Sequence, residues 1–267
     1  MDVNEMLNDR PTTEWKCEVC GAVNRTWTVS ISWLMQKGGE KYRHGYCESC
    51  KEKEDREELL KIERQQQDAM KRKTESLYKR AEIPDNIKSA LLDKMVIRKG
   101  SEDAFAAMKN LRMDKRWVYL HGDNSVGKSF LIGATINSLI AHHVPVLYVN
   151  ESQLFDRIRF TWDKHSTEKE SDIFNLFKQA SVIFWDEFLL FNFLDRESPL
   201  WKYERMYSFI EYCSEHSKIM VFASNIKPSS NPDNEYGNIT DRAGKRIVAR
   251  LKRHDIKCIK MSNAPFC

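Results

Sequence analysis

Eight consecutive residues, GDNSVGKS at positions 122–129, have the types and spacing of a loop that binds nucleotide phosphates. Its glycines let the backbone turn tightly and direct N–H groups toward the α and β phosphates. Lys128 can reach the β and γ phosphates, while the Ser129 hydroxyl can hold Mg²⁺. The positive end of a following helix would strengthen the attraction. The candidate nucleotide-binding residues are Gly122, Asp123, Asn124, Ser125, Val126, Gly127, Lys128 and Ser129.

Two acidic residues, Asp186 and Glu187, follow an apolar run at residues 182–185, which is the Walker B form. At the end of a strand, Asp186 can hold the Mg²⁺ that bridges the β and γ phosphates. Glu187 can then polarise the water that attacks the γ phosphate. Asn225, which follows a second apolar run, can orient that water or contact the γ phosphate. These residues predict Mg²⁺-dependent ATP hydrolysis.

Four cysteines near the start of the chain form two C-x-x-C pairs separated by 26 residues: Cys17, Cys20, Cys47 and Cys50. Each pair can supply two thiolates from a tight turn, and the two pairs together complete the tetrahedral site typical of structural zinc. His44 could replace one thiolate, although a full set of four makes that unnecessary. Disulfides are disfavoured in a reducing compartment, and thioredoxin-like redox pairs would need a βαβ setting. We predict a zinc site that this small module needs in order to fold.

The elements that must position these residues follow from the apolar pattern. An apolar run at residues 117–120 predicts a strand before the phosphate loop, and residues 130–140 predict a helix after it. Further strands are expected at residues 144–150, 182–186, 219–223 and 256–261, with helices at 152–160, 171–177 and 245–254 and a loop at 227–244. This alternation predicts an α/β fold whose five-stranded parallel sheet brings the strand ends together at one edge.

The first part of the chain is expected to be organised differently. Residues 1–50 are predicted to form a zinc ribbon, with short strands at 27–31 and 41–43 and a turn at Gly38-Gly39. Residues 51–80 hold ten basic and eight acidic residues without proline or glycine, which indicates an exposed linker helix that ends before Pro84. Two amphipathic helical stretches within residues 84–116 then lead into the ATPase domain. The predicted domains are residues 1–50, 51–80 and 81–267.

Composition excludes several classes of protein. Hydrophobic residues make up 41% of the 267 positions and charged residues 31%, a balance typical of a soluble protein with a core. No apolar run approaches the length of about 20 residues that spans a bilayer, and the acidic start lacks the form of a signal peptide. We therefore expect a cytoplasmic protein without a membrane partner. The net charge of +4 does not by itself indicate nucleic-acid binding.

Two segments have compositions that suit contact with nucleic acid. Residues 242–260 contain eight lysines or arginines against the single acid Asp255, which fits a phosphate-contacting surface or a solvated helix face. Residues 159–165, RFTWDKH, interleave cations and aromatic rings in the way that single-strand binding sites do, and a plain surface loop is the other interpretation.

Taken together, the phosphate loop, Trp185-Asp186-Glu187, Ala223-Ser224-Asn225 and the segment RIVARL at 246–251 resemble the AAA+ ATPases of the DnaC/DnaI helicase-loader family. The lead-in AEIP at residues 81–84 is also similar to a segment of these loaders. The likeness covers residues 81–261, about two thirds of the chain. It implies an AAA+ P-loop NTPase domain without a C-terminal lid. It also implies a replicative hexameric DNA helicase and single-stranded DNA as partners, with the zinc module in the position that grips the helicase.

The same resemblance implies self-association. In such ATPases an arginine of the R-x-x-x-R-L segment reaches the nucleotide of a neighbouring subunit as an arginine finger, which stabilises charge on the γ phosphate. Arg250, directly before Leu251, is the preferred residue, and Arg246 is the second.

Three other functions fit parts of the sequence. A transposition helper ATPase of the IstB type shares this domain and binds duplex DNA beside a transposase, but its N-terminal module is not usually a zinc ribbon. A small-molecule P-loop kinase should carry an arginine-rich lid, whereas residues 151–181 are of mixed charge. A zinc-dependent adaptor with a slow ATPase switch is compatible with a loader. We therefore expect an ATP-dependent loader, bacterial or phage, that hydrolyses ATP slowly and delivers the replicative helicase onto single-stranded DNA during the initiation of DNA replication.

Overall fold

The computed structural model describes residues 12–27, 47–80, 83–114, 116–193, 199–228 and 237–262. The chain divides into two compact units, Met1–Gln67 and Asp68–Cys267. This division falls inside one long helix, α1 (Glu48–Arg80). It therefore lies between the boundaries at residues 50 and 80 that the sequence predicts.

The first unit contains a short antiparallel pair of strands, β1 (Thr12–Lys16) and β2 (Val23–Trp27). The first cysteine pair lies in the turn between them. The strands were not predicted because TTEWK and VNRTW lack a clear apolar alternation. Apart from Trp27, the predicted ribbon strands at 27–31 and 41–43 and the turn at Gly38-Gly39 lie outside the described residues.

The helix α1 is exposed from residue 51 to residue 73, as the sequence predicts. Its last two turns are different, because Thr74 and Leu77 are buried within the second unit. The Thr74 hydroxyl donates a hydrogen bond to the carbonyl oxygen of His143 at 3.0 Å. The end of the predicted linker is therefore part of the core of the second unit.

The second unit is built on a five-stranded sheet, which confirms the predicted α/β fold. Its strands are β3 (Val118–His121), β4 (Val146–Asn150), β5 (Val182–Asp186), β6 (Ile219–Ser224) and β7 (Lys257–Lys260). They lie in the order β4-β5-β6-β3-β7, and every neighbouring pair is parallel. Because all strands point the same way, the residues that follow β3, β5 and β6 meet at one edge of the sheet.

Helices cover both faces of this sheet. They are α2 (Asp85–Lys88), α3 (Glu102–Lys109), α4 (Leu111–Asp114), α5 (Lys128–Ala141), α6 (Glu151–Phe160), α7 (Glu170–Gln179), α8 (Leu200–Glu215) and α9 (Gly237–Arg253). Alternate residues of β5 pack into two separate clusters, Ile183 and Trp185 in one, Val182 and Phe184 in the other. The strand is thus buried on both faces, as expected for a parallel sheet between two layers of helices.

Two predictions about helices were wrong in extent. The segment 227–244, expected to be a loop, is helical from Gly237, because Ile239 and Ala243 are fully buried and anchor an extra helical piece. This piece is separated from the predicted helix by Gly244, whose φ of 75° and ψ of 162° interrupt α9. Where two helical stretches are expected between residues 84 and 116, the described residues form three short helices, α2, α3 and α4, and a 3₁₀ turn, Leu92–Lys94, lies between α2 and α3.

A membrane-spanning helix would need a long apolar stretch. Within the described ranges, none of the helices combines the length and the apolar character that crossing a bilayer requires.

Candidate active site

The predicted phosphate loop connects β3 to α5, and two of its glycines are needed for its shape. A Cβ on Gly122 would lie 2.2 Å from the carbonyl oxygen of Met261, so that no other residue fits there without movement of the backbone. Gly127 caps the N-terminus of α5 with a φ of 95°, a conformation that residues with a Cβ rarely adopt. The loop is therefore shaped so that the N-terminus of α5 faces the space that it encloses.

Lys128, the first residue of α5, lies across the mouth of the loop. Its ammonium group donates to the carbonyl oxygens of Gly122 at 2.8 Å and Asp123 at 2.9 Å, and to Oδ1 of Asn225 at 2.8 Å. Burial lowers the pKa of Lys128, and the carboxylates of Asp186 and Asp123 oppose that shift. These three oxygens accept the hydrogen bonds that the Lys128 ammonium group would donate to the phosphate oxygens of a nucleotide.

The acidic pair lies at the end of β5, beside the loop. Asp186 is buried, and its carboxylate accepts hydrogen bonds from the Tyr148 hydroxyl and the Glu187 N–H, both at 3.0 Å. Burial raises the pKa of Tyr148, so the hydroxyl stays protonated and acts as a donor. Glu187 is exposed, and its carboxylate accepts a hydrogen bond from Nδ2 of Asn150 at 2.9 Å.

These groups converge on one cavity of about 240 Å³, which we call the phosphate cavity. Its lining includes eight predicted site residues, six of which are Ser125, Lys128, Ser129, Asp186, Glu187 and Asn225. Asn124 and Gly127 also line it. The ammonium group of Lys128, two carboxylates and the Asn225 amide thus surround a space open to a polyphosphate, an arrangement that suits Mg²⁺-dependent phosphoryl chemistry.

The other predicted residues of the loop lie next to this cavity. Gly122 and Asp123 belong to its backbone, and the Asp123 carboxylate is 3.8 Å from the ammonium group of Lys227. Val126 lines a neighbouring cavity of about 430 Å³, together with Phe130, Met261 and residues from the segment 94–105. Apart from the loop residues Ser125, Val126 and Gly127, none of the residues that line this second cavity was predicted from the sequence to belong to the site. Two of them are exposed hydrophobic residues, since Val96 is 83% exposed and Phe130 is 43% exposed. Its lining combines apolar side chains with Lys94, Arg98 and Ser101, and a space of this size beside a phosphate site suits a nucleoside.

Tyr148 and Asn150 were also missed. Both lie on β4, whose neighbour is β5, and the register places Asn150 beside Asp186. The only available signal was that Asn150, like Asp186 and Asn225, is the polar residue that ends an apolar run. Asn150 has a further role as the N-cap of α6, where its Oδ1 accepts from the N–H of Ser152 at 3.2 Å.

The two candidate finger arginines lie on α9, outside the residues that line the phosphate cavity. Arg250 forms a two-point ion pair with Glu211 and donates to the Tyr207 hydroxyl at 2.8 Å. That pairing lowers the pKa of Glu211. Arg246 is exposed, and its guanidinium carbon lies 4.4 Å from the centre of the Tyr207 ring. One tyrosine therefore contacts both arginines.

The basic and aromatic segment 159–165 begins at the end of α6 and continues as a turn. Phe160 is 66% exposed and Trp162 is 51% exposed, while the Trp162 ring meets the Trp201 ring edge-on at 4.7 Å. Two exposed rings among cations fit both a single-strand binding surface and a surface loop.

The four predicted zinc ligands meet in the first unit, where the sulfur atoms of Cys17, Cys20, Cys47 and Cys50 all lie within 4.8 Å of one another. The Cys20 and Cys47 sulfurs are 3.6 Å apart, close to the separation of about 3.8 Å that a tetrahedral site with Zn–S bonds of about 2.3 Å requires. Hydrogen bonds from the backbone of Cys20 and Cys47 lower the pKa of the Cys17 thiol to about 6. The cluster therefore fits a zinc ion held by four thiolates.

Comparisons with known proteins give no match at the level of sequence: neither a protein-family model nor a curated protein matches the chain. Solved structures do match. The DnaC helicase loader superposes with a TM-score of 0.55 and 16% identity, covering 67% of this chain and 100% of that chain. DnaI gives a TM-score of 0.52 and 20% identity, covering 69% of this chain and 94% of that chain.

The replication initiator DnaA, bound to AMPPCP and single-stranded DNA, gives a TM-score of 0.52 and 14% identity over 68% of this chain. The match spans 52% of that DnaA chain, whereas the matches to the solved DnaC and DnaI chains span nearly all of those chains. At such identities the likeness concerns the fold. It confirms the predicted α/β fold with a five-stranded parallel sheet, which the second unit shares with these solved chains.

Proposed function

We propose that the chain is a cytoplasmic, Mg²⁺-dependent ATPase that loads the replicative DNA helicase onto single-stranded DNA when replication begins. The observation that supports this most is the meeting of Lys128, Asp186, Glu187 and Asn225 around one cavity at the carboxyl edge of the sheet. The fold of the second unit is similar to that of the solved DnaC helicase-loader chain, all of which the match covers. The AMPPCP and single-stranded DNA on DnaA support nucleotide and single-stranded DNA as ligands of this chain too.

ATP enters with its triphosphate in the phosphate cavity and its nucleoside in the neighbouring cavity beside Val126 and Phe130. Loop N–H groups and the N-terminus of α5 meet the α and β phosphates. Lys128 exchanges the oxygens of Gly122, Asp123 and Asn225 for phosphate oxygens. The Ser129 hydroxyl and the Asp186 carboxylate would ligate Mg²⁺, which would supply positive charge at the phosphates.

Hydrolysis then depends on Glu187 and Asn225. The Glu187 carboxylate polarises the attacking water, and Asn150 holds that carboxylate through its hydrogen bond of 2.9 Å. Oδ1 of Asn225 accepts a hydrogen bond from the Lys128 ammonium group at 2.8 Å. Once Lys128 turns to the phosphates, the Asn225 amide is free to orient the water or to contact the γ phosphate.

Glu187→Gln should lower the rate of ATP hydrolysis about 100-fold and change the ATP affinity less than about twofold, because the amide cannot accept the water's proton but keeps the shape of the side chain. Steady-state hydrolysis and calorimetric ATP titration measure the two quantities. Glu204→Gln, an exposed acid on α8, is the matched control and should behave as the wild type. A normal rate in Glu187→Gln would exclude this residue as the catalytic base.

Self-association brings a basic side chain of α9 to the nucleotide of a neighbouring subunit. Arg250 is the first choice from its place in the R-x-x-x-R-L segment, and it would have to leave Glu211 and Tyr207 to act. Arg246 is exposed and makes no ion pair with any residue in the described ranges, so it is the second choice and needs a smaller rearrangement. Either guanidinium would stabilise charge on the γ phosphate.

The zinc module grips the helicase, and the exposed rings of Phe160 and Trp162 contact single-stranded DNA. The full chain, immobilised with ATP and Mg²⁺, should capture the host's replicative hexameric helicase and place it on closed circular single-stranded DNA. Capture is read from the bound protein, and loading from helicase that stays on the circle after the chain is removed. No capture, together with capture of a transposase and binding of duplex DNA, would instead support a transposition helper.

A further inference from the structure

A buried carboxylate next to the proposed catalytic site takes no part in the steps above. Glu151, the first residue of α6, follows Asn150 directly and has no exposed surface. Its Oε2 accepts hydrogen bonds from the indole N–H of Trp185 at 3.2 Å and the N–H of Leu189 at 3.0 Å. Its Oε1 accepts from the N–H of Phe191 at 3.3 Å.

The burial of this group is energetically costly. Removing an ionisable carboxyl from water raises the pKa of Glu151 to about 7, even though three N–H donors favour the charged form. A buried carboxyl group can accept hydrogen bonds at both of its oxygens, which an apolar side chain cannot do. Here they bind the backbone of the segment 187–191, which we call the Glu187 turn.

The Glu187 turn has a conformation that its own residues do not favour. Glu187 and Leu189 have φ values of 57° and 63°, in the left-handed region that residues with a Cβ seldom occupy. Such a conformation persists only where surrounding groups hold it. Glu151 holds the turn at the N–H of Leu189 and of Phe191, and Arg242 of α9 donates to the Leu189 carbonyl oxygen at 3.2 Å.

Two consecutive residues at the junction of β4 and α6 therefore hold Glu187 from both sides. Asn150 binds its carboxylate, and Glu151 binds the backbone that follows it. Because the Glu187 backbone conformation sets the direction of its side chain, the anchor at Glu151 controls where the carboxylate lies relative to the γ phosphate.

We infer that Glu151 is a positioning residue for hydrolysis, which fixes the Glu187 turn so that the Glu187 carboxylate faces the attacking water. The inference rests on the proposed ATPase function. It concerns a residue that contacts neither nucleotide nor metal, so its loss should affect the rate of the chemical step and leave nucleotide binding unchanged.

Glu151→Gln in the full chain is the test. The amide has one acceptor oxygen, and its NH₂ group would oppose one of the N–H donors, so the turn loses at least one anchor without a change in side-chain volume. We expect kcat for ATP hydrolysis to fall about 10- to 100-fold, as misplacement of a catalytic group by a fraction of an ångström to an ångström does. KM and the calorimetric affinity for ATP should change less than about twofold.

Ser214→Ala is the control for a purely structural effect. Ser214 is another buried polar residue, and its hydroxyl bonds the His254 ring at 2.8 Å at the far end of α8. Its loss should lower the melting temperature and leave kcat unchanged. If Glu151→Gln does not fold, Arg242→Gln removes the other anchor of Leu189 from a half-buried position and should give the same loss of kcat at constant affinity.

The outcomes separate the two proposals. Normal kcat in a folded Glu151→Gln variant, or a joint loss of kcat and ATP affinity, would overturn the positioning role alone. If Glu151→Gln does not fold, the same two results in Arg242→Gln would overturn it. A wild-type chain that hydrolyses ATP no faster than its Lys128→Ala variant would overturn the proposed ATPase function, and the positioning role with it.

Discussion

Lys128→Ala is expected to weaken ATP binding at least about 100-fold and to abolish hydrolysis. In the nucleotide complex the ammonium group would bind oxygens of two phosphates, and each hydrogen bond between charged groups contributes about 1.5–3 kcal/mol. Loss of two such bonds corresponds to a factor of about 100 or more in the dissociation constant. Calorimetric titration of the full chain with ATP and Mg²⁺ measures the affinity directly.

Lys227→Ala is the matched control for this experiment. Lys227 also lies beside the phosphate loop, 3.8 Å from the Asp123 carboxylate, but its side chain is 57% exposed. An exposed ion pair contributes at most about 1 kcal/mol, so the ATP affinity should change less than about fivefold. Removal of the Lys128 side chain also takes away its hydrogen bond to Oδ1 of Asn225. A melting curve therefore checks that Lys128→Ala stays folded. Unchanged ATP affinity in Lys128→Ala would refute the proposed nucleotide site.

The parts of this site that could be predicted are those with local signals. The phosphate loop needs glycine at position 122, where a Cβ would meet Met261, and at position 127, where φ is positive. The spacing of the loop motif itself places a glycine at both positions. Likewise, Asp186 and Asn225 end apolar runs, and a parallel sheet brings such ends to one edge whatever the order of the strands.

The parts that could not be predicted depend on which strands are neighbours. Asn150 meets Glu187 because β4 pairs with β5 in a register that places Asn150 beside Asp186. Glu151 carries no local signal of its role, because only the path of the Glu187 turn over α6 makes it a buried acceptor. The pair of Arg250 with Glu211 likewise depends on how α9 packs against α8.

The start of α9 is another part of the fold that was not predicted from the sequence. Residues 227–244 are rich in glycine, proline and asparagine, which favours a loop by composition. Burial of Ile239 and Ala243 against the core stabilises a helical piece, and Gly244 permits the break that separates it from the rest of the helix. Tertiary packing outweighed local propensity at this position.

Replacement of Cys17 and Cys20 by serine is expected to unfold the first unit and to leave ATP binding within about twofold of the wild type. In the described ranges of this unit, the buried hydrophobic residues are Cys17 and Cys47, so the metal has to supply what an apolar core supplies elsewhere. Structural zinc contributes about 10–16 kcal/mol in comparable modules. Serine hydroxyls are poor zinc ligands, and two thiolates alone do not complete the tetrahedron.

Bound zinc, protease resistance of the first unit and ATP affinity should be measured on the same samples of the full chain. The wild type and Cys258→Ser, a cysteine of β7 in the second unit, should each hold one zinc ion per chain. The double variant should hold none, lose protease resistance before residue 68 and no longer capture the helicase. ATP affinity should persist because Lys128, Asp186 and Asn225 all lie in the second unit. Full zinc content in the double variant would exclude the four-cysteine site, and loss of ATP affinity would mean that the nucleotide site depends on the first unit.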